Sequence, residues 1–318
     1  MSHILGLPLS TPARVRGGIL LMIACSLMFA SLDATAKLMG AHYPVLEIVW
    51  FRYTVHVGVM LAVFAPLMGR KIFRANHLPW QIARGLILVF CTGLSFTGLR
   101  FMPLAEFTAI SFVTPLIITL LAGPLLGEKV GLARWGAVAL GFAGVLIIIR
   151  PGSGIFGWAA LLPLTLSCAN AMFQILTRKY AGVDDPVTTL FFSGLAGAVL
   201  ASVAVPFVWK TPVLAHWPAL LLMGVLGGGG HLLLVLCFRR APASVLAPFS
   251  YAQLAFATLI GVLIMGHVPD RWSLIGMGVI ALAGLYAVGL QAWEGRHRRP
   301  PRGGAGEAAG GPDSVRRD

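Results

Sequence analysis

Ionisable and amide side chains stand in pairs one helical turn apart. Asp33 and Lys37 are four residues apart, as are Arg52 and His56, and Asn170 and Gln174. On a helix that spacing puts both members on one face. Glu106, His231 and Tyr251 complete the candidate set, with His231 directly after the run Gly227-Gly228-Gly229-Gly230. An aspartate and an arginine facing one space can hold the two ends of a zwitterion, the arginine by its planar fork. A histidine, which titrates near neutrality, can pass a proton. Signatures of turnover are missing: the sequence has no HExxH, no GxSxG and no GxxxxGK[ST] phosphate loop. Cys25, Cys91, Cys168 and Cys237 show no CxxC spacing, so they read as packing thiols rather than metal ligands. The chemistry is that of binding, not of an enzyme, and no cofactor or metal is expected.

Each candidate also has a plain packing explanation. Asp33 and Lys37 can form an internal ion pair, and Arg52 can be a fixed link to Asp33 or Glu106. His56 and Tyr251 can be core residues, and Glu106 can owe its place to the positive end of its helix near the outer surface. The four glycines suit either tight helix packing or a hinge. Ser250 and Gln253 are further candidates to line a pocket beside Tyr251.

The elements that must position these residues follow from composition. The 318 residues are 58% hydrophobic and 11% charged, against about 25% charged in soluble domains. Mean hydropathy is +0.86. These values exclude most soluble enzymes and disordered chains. The apolar runs are continuous and about 20 residues long, the length of a spanning helix, and do not alternate as barrel strands do. They lie near 18–39, 45–68, 80–99, 103–126, 132–149, 155–177, 186–208, 216–237, 243–265 and 272–292. The expected fold is an all-α membrane protein with ten transmembrane helices, short loops and no soluble domain. Pro115 and Pro248 fall inside spans 4 and 9, where each frees a carbonyl and can kink its helix.

Charge placement orients the spans. With a cytoplasmic N-terminus, 17 of the 24 Lys and Arg residues fall inside, including Arg14, Arg16, Arg70, Lys71, Arg74, Arg239 and Arg240. The outside receives four: Arg100, Arg150, Lys210 and Arg271. Both termini are therefore expected to be cytoplasmic. The net charge of +13 is spread over short loops and tails, which suits anionic membrane lipids and not nucleic acid. Arg14 and Arg16 before an apolar run, with Ala34-Thr35-Ala36 after it, also have the grammar of a signal peptide. The full span length favours a retained first helix. Residues 1–17 form a cytoplasmic segment, and 294–318, rich in Gly, Pro and Arg, a disordered cytoplasmic tail.

A shift of 139 to 141 residues lays residues 18–150 on 151–293. Pro79, Arg100, Pro103, Ser111 and Phe112 fall on Pro218, Arg239, Pro242, Ser250 and Tyr251. Ser26, Asp33 and Lys37 fall on Ser167, Gln174 and Arg178, so the two polar stripes are expected to wall one cavity. A unit of five spans ends on the side opposite its start, so its copy is inverted. Inverted repeats provide two near-equivalent arrangements, each open to one side, which is the basis of alternating access. With no nucleotide motif, uphill transport must use an ion gradient, a proton being the candidate.

The segments Leu126-Gly127-Glu128-Lys129, Arg134-Trp135-Gly136 and Gly141-Phe142-Ala143-Gly144-Val145 resemble the end of the first repeat in the EamA family of the drug/metabolite transporter superfamily. Met265-Gly266-His267, Arg271-Trp272, Gly276 and Ala283-Gly284 echo them in the second half. The resemblance spans about residues 17–292. It implies a multi-pass carrier of a bacterial-type inner membrane, moving small, amino-acid-like metabolites. His267 departs from the pattern, standing where the first half has Glu128. The stretch from Asp33 to Arg52 is also similar to riboflavin-uptake members, which implies an aromatic pocket from Trp50, Phe96, Phe112 and Tyr251. A lipid-carrier flippase and an intramembrane enzyme are the readings from other classes. The expected partners are a small-molecule substrate, membrane lipids and a coupling proton. Nothing in the sequence marks an oligomeric state.

Overall fold

The structure, a computed structural model, describes residues 12–126, 132–150, 157–179, 183–241 and 243–297. Among these it is helical with no strand. The helices are α1 (Pro12–Gly40), α2 (Val45–Met68), α3 (Leu78–Phe101), α4 (Leu104–Ser111), α5 (Thr114–Leu126) and α6 (Leu132–Ile149) in the first half. The second half holds α7 (Leu161–Lys179), α8 (Pro186–Ala204), α9 (Trp217–Phe238), α10 (Ala243–Ser250), α11 (Ala252–Met265) and α12 (Arg271–His297). Eight helical segments are long and apolar enough to cross a membrane, and two more, Leu104–Ile118 and Trp135–Ile149, are apolar but shorter.

Expected spans 4 and 9 are each broken into two helices, at Phe112-Val113 and at Tyr251. Pro115 has no N–H to return to Ser111, so the Ser111 carbonyl takes the Thr114 hydroxyl at 2.8 Å instead. Pro248 lies inside α10, three residues before the second break. Helix α1 is already helical from Pro12, the first described residue, inside the segment expected to precede it. It runs unbroken past Ala34 and Ala36, both buried. Helix α12 extends to His297, past the expected start of the tail. The Gly127-Glu128-Lys129 motif and the chain after His297 lie outside the described residues.

Side-chain contacts sort the helix ends into two groups. At one end Asn76 N–H donates to Asp184 Oδ1 at 2.7 Å, the Phe73 and Phe191 rings meet at 5.4 Å, and Gly17 abuts Arg240. This is the basic end, with Arg14, Arg16, Arg70, Lys71, Arg74, Arg239 and Arg240. At the other end Lys210 Nζ donates to the His42 carbonyl at 2.8 Å, and Trp50 Nε1 donates to Ser202 Oγ at 2.8 Å. Arg100, Arg150, Lys210 and Arg271 belong there.

Between the ends, α1 packs on α9 and α11, α3 on α7 and α8, and α2 on α8 and α9. Helices α6 and α12 run antiparallel, with Gly141 beside Ala283 and Gly276 beside Ile148. A Cβ on Gly144 would lie 2.9 Å from the Gly276 carbonyl, and one on Gly276 would lie 2.7 Å from the Gly144 carbonyl. Only glycine lets these backbones approach so closely.

Candidate functional site

Asp33 lies midway along α1. Its side chain is half-buried. The carboxylate faces the Ser95 hydroxyl on α3, the Gln253 amide on α11 and the charge of Arg52 on α2. His231 on α9 is likewise half-buried. Its ring meets Phe29 edge-on at 5.1 Å and feels the charges of Arg52 and Arg84. The group therefore draws on helices of both halves and contains carboxylate, guanidinium, imidazole, hydroxyl and amide.

Arg52 is held rather than loose. Its Nη1 donates to Thr92 Oγ1 at 2.8 Å, and the guanidinium lies over the Tyr53 ring at 4.5 Å. The Tyr53 hydroxyl meets the same threonine oxygen at 2.8 Å, and Thr92 in turn donates to the Leu88 carbonyl at 2.9 Å. Arg52 Nε has no hydrogen-bond partner among the described residues. Arg84, Leu88, Thr92 and Ser95 follow one face of α3 at helical spacing. That stripe was the signal for Thr92 and Ser95, which sequence reasoning missed because single hydroxyls are unremarkable in an apolar helix.

The four glycines of α9 each meet one side chain of α1 or α2. Added Cβ atoms would lie 3.2 Å from Arg52 Nε at Gly227, 3.2 Å from His56 Nδ1 at Gly228, 2.6 Å from Met28 Cε at Gly229 and 2.9 Å from the Phe29 ring at Gly230. The run stays helical throughout, so it is a collar of bare backbone around one turn, and Arg52 and His56 rest against part of it. His56 is enclosed on other sides by Gly194 and Gly224, with Nε2 unpartnered among the described residues.

Other candidates fall elsewhere. Lys37 does not pair with Asp33. Its ammonium donates to the Leu99 and Met102 carbonyls at 2.6 and 2.7 Å, closing the carbonyl end of α3, where a cation is favoured. Glu106 is in the first turn of α4 as expected, and its side chain is buried, 1% exposed. One carboxylate oxygen is 3.1 Å from His267 Nε2, and the other has no partner among the described residues. Asn170 and Gln174 meet each other at 3.5 Å, Gln174 is exposed, and the structure does not bring them to Asp33. The Tyr251 ring packs on Phe112 at 5.0 Å, so the two residues at the helix breaks touch, and its hydroxyl presses on Gly284. Trp50 lies at the end away from the basic one among Phe51 and Trp209, outside the expected aromatic pocket. Phe96 is buried under Arg52, 6.0 Å from it.

Two carboxylates outside the spanning segments fasten the ends. The Ser273 N–H, 2.8 Å from Asp270, and the Arg150 guanidinium at 2.7 Å hold the Asp270 carboxyl below the usual range. Partial burial would raise Asp184, but donors from Asn76 and Gln81 outweigh it and leave that carboxyl low as well.

A bundle of helices long and apolar enough to cross a membrane, with ionisable groups among them, fits a membrane transport protein. The chain belongs to the EamA-like transporter family, which matches it twice, over residues 16–150 and 157–289. It is a small-molecule transporter of the drug/metabolite type and not an enzyme. It is 28% identical to the S-adenosylmethionine uptake transporter of Rickettsia bellii, over 80% of this chain and 88% of that one. It is 28% identical to a riboflavin transporter of Rhizobium johnstonii, over 91% and 96%. The pseudopaline exporter CntI of Pseudomonas aeruginosa is 25% identical, over 85% and 95%. A solved crystal structure shares the fold with a TM-score of 0.64 at 21% identity, over 90% of this chain and 99% of the other.

Proposed function

We propose that the protein is a secondary transporter of a bacterial-type inner membrane that carries a small polar, amino-acid-like metabolite by alternating access. Ten spans form two inverted five-helix repeats, 18–150 and 151–293, with both termini cytoplasmic at the basic end. The observation that carries this reading is the group of half-buried Asp33 and His231 around the buried Arg52. Asp33 receives the cationic end of the substrate and Arg52 the anionic end. His231 and Gln253 line the same space, and Tyr251 closes its flank. His56 and Lys37 hold the helices that present these groups. Glu106 with His267 is the candidate route for a coupling proton, and Asn170 and Gln174 are contacts that would form in the opposite arrangement.

Several features support the repeat. Helices α6 and α12 are antiparallel, as equivalent helices of inverted copies must be. Packing partners exchange: α1 on α9 answers α7 on α3, and α2 on α9 answers α8 on α3. Ser26 donates to the Ser250 carbonyl at 3.4 Å, and its counterpart Ser167 lies 3.2 Å from the Ser111 carbonyl. Each copy thus reaches to the break in the other.

The test is radiolabelled uptake and efflux in vesicles of both orientations. Flux should follow wild type and vanish in Asp33→Asn and Arg52→Ala at equal expression. Unchanged flux in both variants would overturn the site. Accessibility labelling of cysteines placed at Arg70 and Arg240 should find both on the cytoplasmic face. A riboflavin-type cargo is the second reading, favoured by the Rhizobium relative and by the Phe112–Tyr251 ring pair. Competition by unlabelled riboflavin decides between them.

A further inference from the structure

At the basic end a cavity of about 310 Å³ opens between the starts of α3 and α8 and the ends of α7 and α9. It has room for about ten waters. Its polar side is fixed in place. Gln81 lines it and is 7% exposed, and its amide nitrogen donates to Asp184 Oδ2 at 2.7 Å and to Thr189 Oγ1 at 3.2 Å. These bonds set the amide's orientation, and its buried oxygen is left with no donor among the described residues.

Arg84, three residues on, lines the same cavity. Its Nε donates to Thr177 Oγ1 at 2.8 Å, and Nη1 donates to Ser193 Oγ at 2.8 Å and to the Thr189 carbonyl at 3.3 Å. Its charge lies over the Phe173 ring at 4.7 Å. Nη2 takes part in none of these bonds and keeps its donors. Arg239 stands exposed on the cavity's rim. The Asp184 carboxylate, fastened on one side of the cavity by the Gln81 amide, and the Arg84 guanidinium on the other complement a ligand with an ammonium and a carboxylate close together. Arg84 also acts electrostatically on His231, so the cavity lies within charge reach of the central group.

We propose that this cavity is a second binding site, taking the amino-acid end of a small metabolite on its way between the basic end and the Asp33 group. The carboxylate meets Arg84 and Arg239, and the ammonium meets the Asp184 carboxylate, which Gln81 holds in place. The proposal rests on the transporter reading and adds to it a substrate class, since a cargo without a carboxylate would pass this site unheld.

Purified full-length Asp33→Asn protein, its central group disabled, provides the test. It is titrated by calorimetry with the common L-amino acids and S-adenosylmethionine, probes that carry both groups. At least one probe should still bind, and adding Asp184→Asn or Arg239→Gln should weaken it about tenfold, the loss of one charge-assisted contact. Arg239 is exposed, so its replacement leaves the fold intact if Asp184→Asn does not. Absence of binding by every probe in the Asp33→Asn protein, or binding indifferent to both added changes, overturns the second site. Wild-type vesicle flux is scored separately. Its absence would sink the transport reading and leave this binding result standing.

Discussion

The two halves of the chain share their scaffolding and differ in their chemistry. Ser26 and Ser167 reach across to equivalent breaks, and Phe112 and Tyr251 stand at those breaks and touch. Yet Asp33 on α1 is answered by Gln174 on α7, which is exposed and, among the described residues, meets Asn170. Arg52 has no cation opposite it either: the residue 139 further on is Phe191. Hydroxyl-to-carbonyl bonds and broken helices serve both halves because both must bend. One buried acid–base pair is enough to hold one substrate, and a second would add the desolvation of two more charges.

The largest effect should come from erasing the charged side of this contrast. Arg52→Ala and Asp33→Asn should each lower initial vesicle flux about a hundredfold, the scale of losing one partner of a buried charge contact. Gln174→Ala should stay within about twofold of wild type. An equal loss in Gln174→Ala would break the asymmetry. Next, Gly228→Val should cost about 1–3 kcal/mol or more by overpacking His56, visible as a lower melting temperature in detergent. Gly229→Ala meets only the tip of Met28 and should melt near wild type.

Smaller still, Ser26→Ala and Ser167→Ala should each destabilise by about 1 kcal/mol. Ser167 should cost no more than Ser26, because its single O–H is shared with the nearer Pro163 carbonyl at 2.8 Å, which weakens the bond across to Ser111. A change in only one of the two would show that the cross-contacts are not equivalent. The smallest effect belongs to Asp270, a half-exposed group whose pair with Arg150 is worth well under about 1 kcal/mol. Its carboxyl is held low in the folded protein, so its contribution is present above the unfolded value of about 3.9. It is lost as pH falls through the lower folded value. The melting difference between wild type and Asp270→Asn should therefore be flat from neutral pH down to about 5 and close in stronger acid.

Much of the fold was legible because a membrane leaves a chain few options. Continuous apolar runs located the helices, and Pro115 and Pro248 marked the two that break. The exact breaks were not legible, since a proline frees a carbonyl one turn earlier and local hydroxyls decide where the helix gives way. In the candidate site, Asp33, Arg52 and His231 stood out as costly groups in apolar runs. Lys37 misled because spacing on one helix says nothing of the carbonyls a neighbouring helix offers. Its four-residue interval to Asp33 was real, but the end of α3 attracts it more. Ser95 and Thr92 were hidden for the converse reason: small hydroxyls carry no charge to betray them.

The bare collar on α9 has a mechanical consequence. Helices usually interlock like gear teeth, and turning one past another means lifting side chains over ridges. From Gly227 to Gly230 a full turn carries no teeth. Met28, Phe29, Arg52 and His56 lie against that backbone, so a shift of α1 or α2 along this turn would meet no side chain of α9. Under the proposed function such a turn is where rocking would meet least resistance, and a residue larger than glycine there would act as a brake.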